Sequence, residues 1–169
     1  GFRHAPERFL PSARALALAP GRRGTHVFAW DGRRVHALRT DERGVPTSDR
    51  AVWLERAGKS AFLAAARVGT HAIAAIAFDD EPALHVLSEE NGRARVVRHE
   101  LGSPVSGLSM ASAGSRAGCA IVLEGGDRVA VAQLDGSGRF VDRPATRVEG
   151  RGTRWDAPVV LFVEDGFAL

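Results

Sequence analysis

GCAIVLEGGDRVAVAQLDGSGRFVDRPATRVE, residues Gly118 to Glu149, is the stretch whose reading decides the fold. Two apolar runs are joined by Gly125-Gly126, a second turn falls at Asp135-Gly136-Ser137-Gly138, and a more polar run follows. β-Branched residues bounded by short glycine turns predict three antiparallel strands in a meander. A similar unit occurs twice upstream, and the start of another lies at the end of the sequence.

Taken in order, strands are expected at Arg14–Ala19, Thr25–Trp30, Arg34–Thr40 and Ala51–Glu55, then at Phe62–Val68, His71–Phe78, Ala83–Ser88 and Arg95–Glu100. A third round covers Val105–Ala113, Gly118–Glu124, Asp127–Asp135 and Pro144–Glu149. A fourth begins at Asp156–Val163, turns at Glu164-Asp165-Gly166 and stops at Leu169 inside its second strand. The glycine closing the third turn recurs at Gly44, Gly92 and Gly138, spacings of 48 and 46. The leucine ending the third strand recurs at Leu38, Leu87 and Leu134, spacings of 49 and 47. Thr25-His26 and Thr70-His71 are 45 apart. Four-stranded propeller blades have periods of roughly 40–50 residues.

Polarity within each round agrees. Second strands are nearly all apolar (Val27–Trp30, Ala72–Phe78, Cys119–Leu123), as for strands covered on both faces. Fourth strands alternate charge, as at Arg95–Glu100, or carry proline, as at Arg143-Pro144; both keep an exposed sheet edge from pairing with other chains. The small residues of Ala72–Ala77 are expected near a crowded axis. No segment sustains a capped 3.6-residue apolar stripe, and Ala61–Ala66 is the one rival.

These features resemble the β-propeller class, over residues 13 to 169. They are most similar to divergent bacterial propellers whose third hairpin carries an acidic residue and a glycine, here Gln133–Phe140, QLDGSGRF. The Gly-His and Trp-Asp pairs of WD40 repeats are missing; Trp30-Asp31 occurs once, at the second turn. The resemblance implies an all-β propeller or partial propeller of about three and a half four-stranded antiparallel blades. Its expected parts are an N-terminal arm over 1–12 and blades over 13–57, 60–101, 104–150 and, incomplete, 155–169. Architecture alone carries no function.

Composition bounds the rest. The 169 residues, 44% hydrophobic and 25% charged, are enough for one domain with a proper core. No apolar run approaches the ~20 residues that cross a bilayer. Ala13–Pro20, ARALALAP, reads as a first strand rather than a signal-peptide core. All 23 basic side chains except Lys59 are arginine, the coding bias of a GC-rich bacterial genome. The pI near 10.3 overstates the cationic character, because 20 acidic residues leave a net charge of only +3. Arginines scattered among acidic neighbours make nucleic acid an unlikely partner. Secreted, cell-surface and cytoplasmic settings fit equally well.

Six histidines invite a metal reading, but His26 with His71 and His36 with His85 are explained as repeat equivalents, and HxH and HExxH spacings are absent. The turns Asp41–Gly44, Glu89–Gly92 and Asp135–Gly138 offer too few oxygen ligands for calcium and suit hairpins. Ser60, Ser106, Ser109 and Ser112 lie in no GxSxG elbow, and Gly58-Lys59-Ser60 lacks the earlier glycine of a phosphate loop. Cys119 reads as a small buried hydrophobe, and Trp30, Trp53 and Trp155 as packing rather than a sugar platform. No catalytic, cofactor or metal residue is singled out. The expectation is a non-enzymatic scaffold or recognition module with a protein partner, a second copy or another chain completing the ring. The alternative is part of a propeller enzyme or carbohydrate- or ion-binding protein, its site in the blade turns.

Overall fold

A computed structural model describes residues 12–123, 128–148, 161–163 and 166–168. The arm over 1–11, the Gly125-Gly126 turn, Trp155, Glu164-Asp165 and Leu169 lie outside the described residues. Described regular structure is all β.

The first sheet consists of β1 (Ala15–Gly21), β2 (Gly24–Trp30), β3 (Arg34–Thr40) and β4 (Ala51–Glu55). The second has β5 (Ala61–Val68), β6 (His71–Phe78), β7 (Ala83–Glu90) and β8 (Arg93–Glu100). The third has β9 (Val105–Ala113), β10 (Arg116–Leu123), β11 (Arg128–Leu134) and β12 (Ala145–Val148). A fourth, of β13 (Leu161–Val163) and β14 (Gly166–Ala168), has two strands. Neighbours pair antiparallel in chain order with no crossover, which makes a partial propeller of about three and a half blades.

Strands β3, β4, β6 and β9 run as the sequence predicts. Strands β7 and β8 run closer together than expected, because their turn is the two-residue Asn91-Gly92 with φ of 52° and 75°. Positive φ at both positions is the primed turn that matches strand twist. Gly92 therefore shares a sequence position with Gly44 and Gly138 but not their loop geometry.

Two cores separate the three full sheets. Phe28, Trp30 and Val35 of the first sheet pack against Ile76, Phe78 and Leu87 of the second, with the Trp30 and Phe78 rings edge to face, centroids 5.8 Å apart. Ile73 and Val86 meet Ile121 and Leu134 across the next seam. Burying each such side chain contributes about 1.5–3 kcal/mol. Strand β6 serves both: period-two alternation sends Ala72, Ala74, Ile76 and Phe78 into the first core and Ile73, Ala75 and Ala77 into the second.

The axis corrects the expectation for Ala72–Ala77. Strand β5 lies against β1 on one side and β9 on the other, so the first strands line the axis and β6 stands second. The alanines of β6 are small because sheets close on it from both faces. At the other extreme, β8 alternates exposed and half-buried residues as an outer strand does.

Candidate interaction face

One loop occurs twice, bond for bond. Asp41 Oδ1 accepts the N–H groups of Arg43 and Val45, each at 2.8 Å, and Gly44 N–H donates to the Asp41 carbonyl at 3.1 Å. Asp135 Oδ1 accepts the N–H groups of Ser137 at 2.8 Å and Arg139 at 3.1 Å, and Gly138 N–H donates to the Asp135 carbonyl at 3.0 Å. Burial alone would raise the Asp135 carboxyl; the Ser137 hydroxyl and these N–H groups bring it below the usual carboxylate range. Bridges Thr40–Pro46 and Leu134–Phe140 close the two loops alike.

The third-sheet loop is docked on the second sheet. His99 Nε2 lies 2.8 Å from the Gly138 carbonyl, Ser88 Oγ 3.4 Å from the Ser137 carbonyl, and the Phe140 and His99 rings are 3.8 Å apart. The first-sheet loop has no such contact at its glycine, where a Cβ on Gly44 would meet nothing within 4 Å, and Val45 at its tip is 55% exposed.

The side of the first sheet away from the second exposes apolar residues on β1 and β4, while Ala29, His36 and Leu38 between them are buried. Leu16, opposite Ala29 and His36, and Leu18, opposite Val27, alternate with the Ala17, Phe28 and Ala37 that face the second sheet. Leu16 is 58% exposed, Leu18 51% and Val52, paired with His36, 44%. Aligning the turn pairs Gly21–Gly24 and Val68–His71 makes Leu63 and Ala65 the counterparts of Leu16 and Leu18. Both counterparts pack into the core between the first and second sheets. Equivalent first strands are thus packed over in one sheet and exposed in the other.

Paired histidines mark the same difference. His36 Nε2 lies 2.8 Å from Asp31 Oδ2, and His85 Nε2 meets Glu81 Oε1. Glu81 also receives Arg56 Nη2 at 3.3 Å, from the segment after β4, and the Arg56 guanidinium lies 4.7 Å over the Phe78 ring. A cation from the preceding sheet therefore completes the second pair. Burial would raise the Glu81 carboxyl, yet the His85 hydrogen bond and charge and then Arg56 hold it low. At Asp31 burial is likewise outweighed, by the His36 hydrogen bond and the N–H groups of Arg33 and Arg34, and the carboxyl falls to about 2. His36 Nδ1 is buried with no hydrogen-bond partner among the described residues.

The remaining candidates disperse. His71 is exposed, while burial, then the charges of Arg39 and Arg67, lower the pKa of half-buried His26 against the opposing Glu89. Among the described residues no three His, Cys, Asp or Glu side chains gather as a metal ion would require. Cys119 is fully buried, which pushes its thiol up to about 12. Trp30 donates Nε1–H to the Arg56 carbonyl at 3.2 Å, and Trp53 meets the Phe28 ring edge to face. Ser106 donates to the Leu123 carbonyl and Ser112 accepts the Arg67 N–H. No described helix is long and apolar enough to cross a membrane. Sequence reasoning passed over the exposed Leu16–Leu18 face and the histidine–carboxylate pairs. An Asp or Glu four or five residues before each third-strand histidine was the available signal.

No known protein family and no curated protein matches the chain in sequence. In structure it is similar to the WD40 domain of SCAP from fission yeast, with a TM-score of 0.52 and 15% identity over 83% of this chain. The match covers 35% of that structure, so the chain spans about a third of its length. At that identity the likeness shows the fold alone: an all-β, propeller-type repeat.

Proposed function

We propose that the chain is a non-enzymatic scaffold or recognition module that joins a second protein chain through the far face of its first sheet. The observation that carries this reading is the exposure of Leu16 and Leu18, whose counterparts Leu63 and Ala65 in the next sheet pack against the core between the first two sheets. Exposed contiguous apolar surface of this kind marks interaction sites. The occupant that fits best is another sheet of the same repeat. It would extend over the Asp41–Pro46 loop as the second sheet does under Asp135–Phe140, and set a cation beside Asp31 as Arg56 stands beside Glu81. A second copy meets that description, and two copies give about seven blades, inside the usual range of 4–8. The arginine-for-lysine bias fits a GC-rich bacterial source.

Light scattering on the full chain tests the reading. The expected result is a dimer that Leu16→Asp with Leu18→Asp converts to monomer while far-UV circular dichroism stays unchanged. An unaltered chain that is monomeric at high concentration overturns it, as does a dimer that persists with both substitutions.

A further inference from the structure

At one end of the axis the turns between first and second strands of three sheets converge: Gly21–Gly24, Val68–His71 and Ala113–Arg116. Between them lies a cleft of about 790 Å3, lined by Pro20, Arg22, Arg23, Arg67, Thr70 and Ser112, with glycines between. Three of these side chains are cationic and none carries a carboxylate.

The cleft is braced. Gly69 N–H donates to the Gly114 carbonyl at 2.6 Å and Arg67 N–H to Ser112 Oγ at 2.8 Å, tying the second-sheet turn to the third. The Arg67 guanidinium donates to the carbonyls of Gly69 at 3.3 Å and Thr70 at 3.0 Å. It reaches over Gly21 so closely that a Cβ there would stand 2.4 Å from Arg67 Nη1. Glycine at 21 is what lets the first-sheet turn and this guanidinium share the space. Of the carboxylates on the outer turns at this end, Glu89 pairs with Arg39 at 2.5 Å, and Asp41 and Asp135 are held by their own loop N–H groups.

We propose that this end of the axis binds an acidic segment of a protein partner, its carboxylates taken by Arg22, Arg23 and Arg67. Planar guanidinium forks match carboxylates two bonds at a time, and a fixed Arg67 loses little freedom on binding. Among the lining residues there is no aromatic ring on which a nucleic-acid base could stack. The site uses none of the residues of the first-sheet face, so this proposal and that of assembly fail independently.

Fluorescence anisotropy of a short fluorescein-labelled oligoglutamate peptide against the full chain tests it. Arg22→Gln with Arg23→Gln, both on an exposed turn, should weaken binding about tenfold and leave the melting temperature in place. Arg67→Gln should weaken it by a similar factor. Gly21→Ala, which alters no charge but displaces the Arg67 head, should weaken binding severalfold. Arg33→Gln with Arg43→Gln, exposed arginines elsewhere, should leave it unchanged. Equal affinity across all variants overturns the proposal, as does failure of the unaltered chain to bind the peptide. Tighter binding of a single-stranded oligodeoxynucleotide or of inorganic phosphate at the same ionic strength also overturns it.

Discussion

Gly138 stands against Val86: a Cβ built on the glycine would lie 2.8 Å from Val86 Cγ1, across the seam between the third and second sheets. Its loop counterpart Gly44, with φ of 79° against 80°, would meet nothing within 4 Å. Alanine in either left-handed position costs about 1–2 kcal/mol. Only Gly138→Ala must also push a packed side chain aside, for about 1–3 kcal/mol more. Urea unfolding under conditions that keep the chain monomeric should show that gap. Equal losses for the two variants would mean that the third-sheet loop does not sit on the second sheet.

Ala75 is fully buried in the core between the second and third sheets. Ala75→Arg places an unpaired charge there, at a cost of several kcal/mol (~3 or more) against a stability of about 5–15. The variant is expected not to fold. A soluble Ala75→Arg chain with a cooperative thermal transition would contradict the two-faced burial of β6.

The Asp31 carboxyl, at 3.8 when unfolded, falls to about 2 in the folded chain. A carboxyl depressed on folding contributes stability that is complete above its unfolded value and lost as pH falls through the folded one. The unaltered chain should therefore lose stability relative to Asp31→Asn between about pH 4 and pH 2, and hold its advantage at neutral pH. Thermal melts of both across that window check the sign. Parallel curves would show that Asp31 gains nothing from His36 and the turn N–H groups.

Strands such as β3 and β6 were legible because a glycine or aspartate turn bounds an apolar run on each side. What the sequence could not reveal is which strand stands innermost. Small residues mark crowding, and β6 is crowded by two sheets rather than by the axis. Turn geometry was also hidden: Gly44, Gly92 and Gly138 keep the period, yet Asn91-Gly92 is a two-residue turn and the others close five-residue Asx loops. The interaction face escaped because exposure of Leu16 and Leu18 depends on what packs beside them, and in sequence they look like any first strand. Arg22, Arg23 and Arg67 look scattered along the chain. They meet because equivalent turns of successive sheets stack at one end of the axis.

Each full sheet is a plain meander, its ladder bonds closed within one stretch of chain, while neighbouring sheets touch mainly through side chains. A gene segment encoding one round can thus be duplicated or deleted without breaking any ladder. The new seam has only to match an apolar face, with a docked loop or a histidine–carboxylate pair beside it. Blade number in such a chain is free to drift, and the sequence between turns can diverge far while the period of the turns endures.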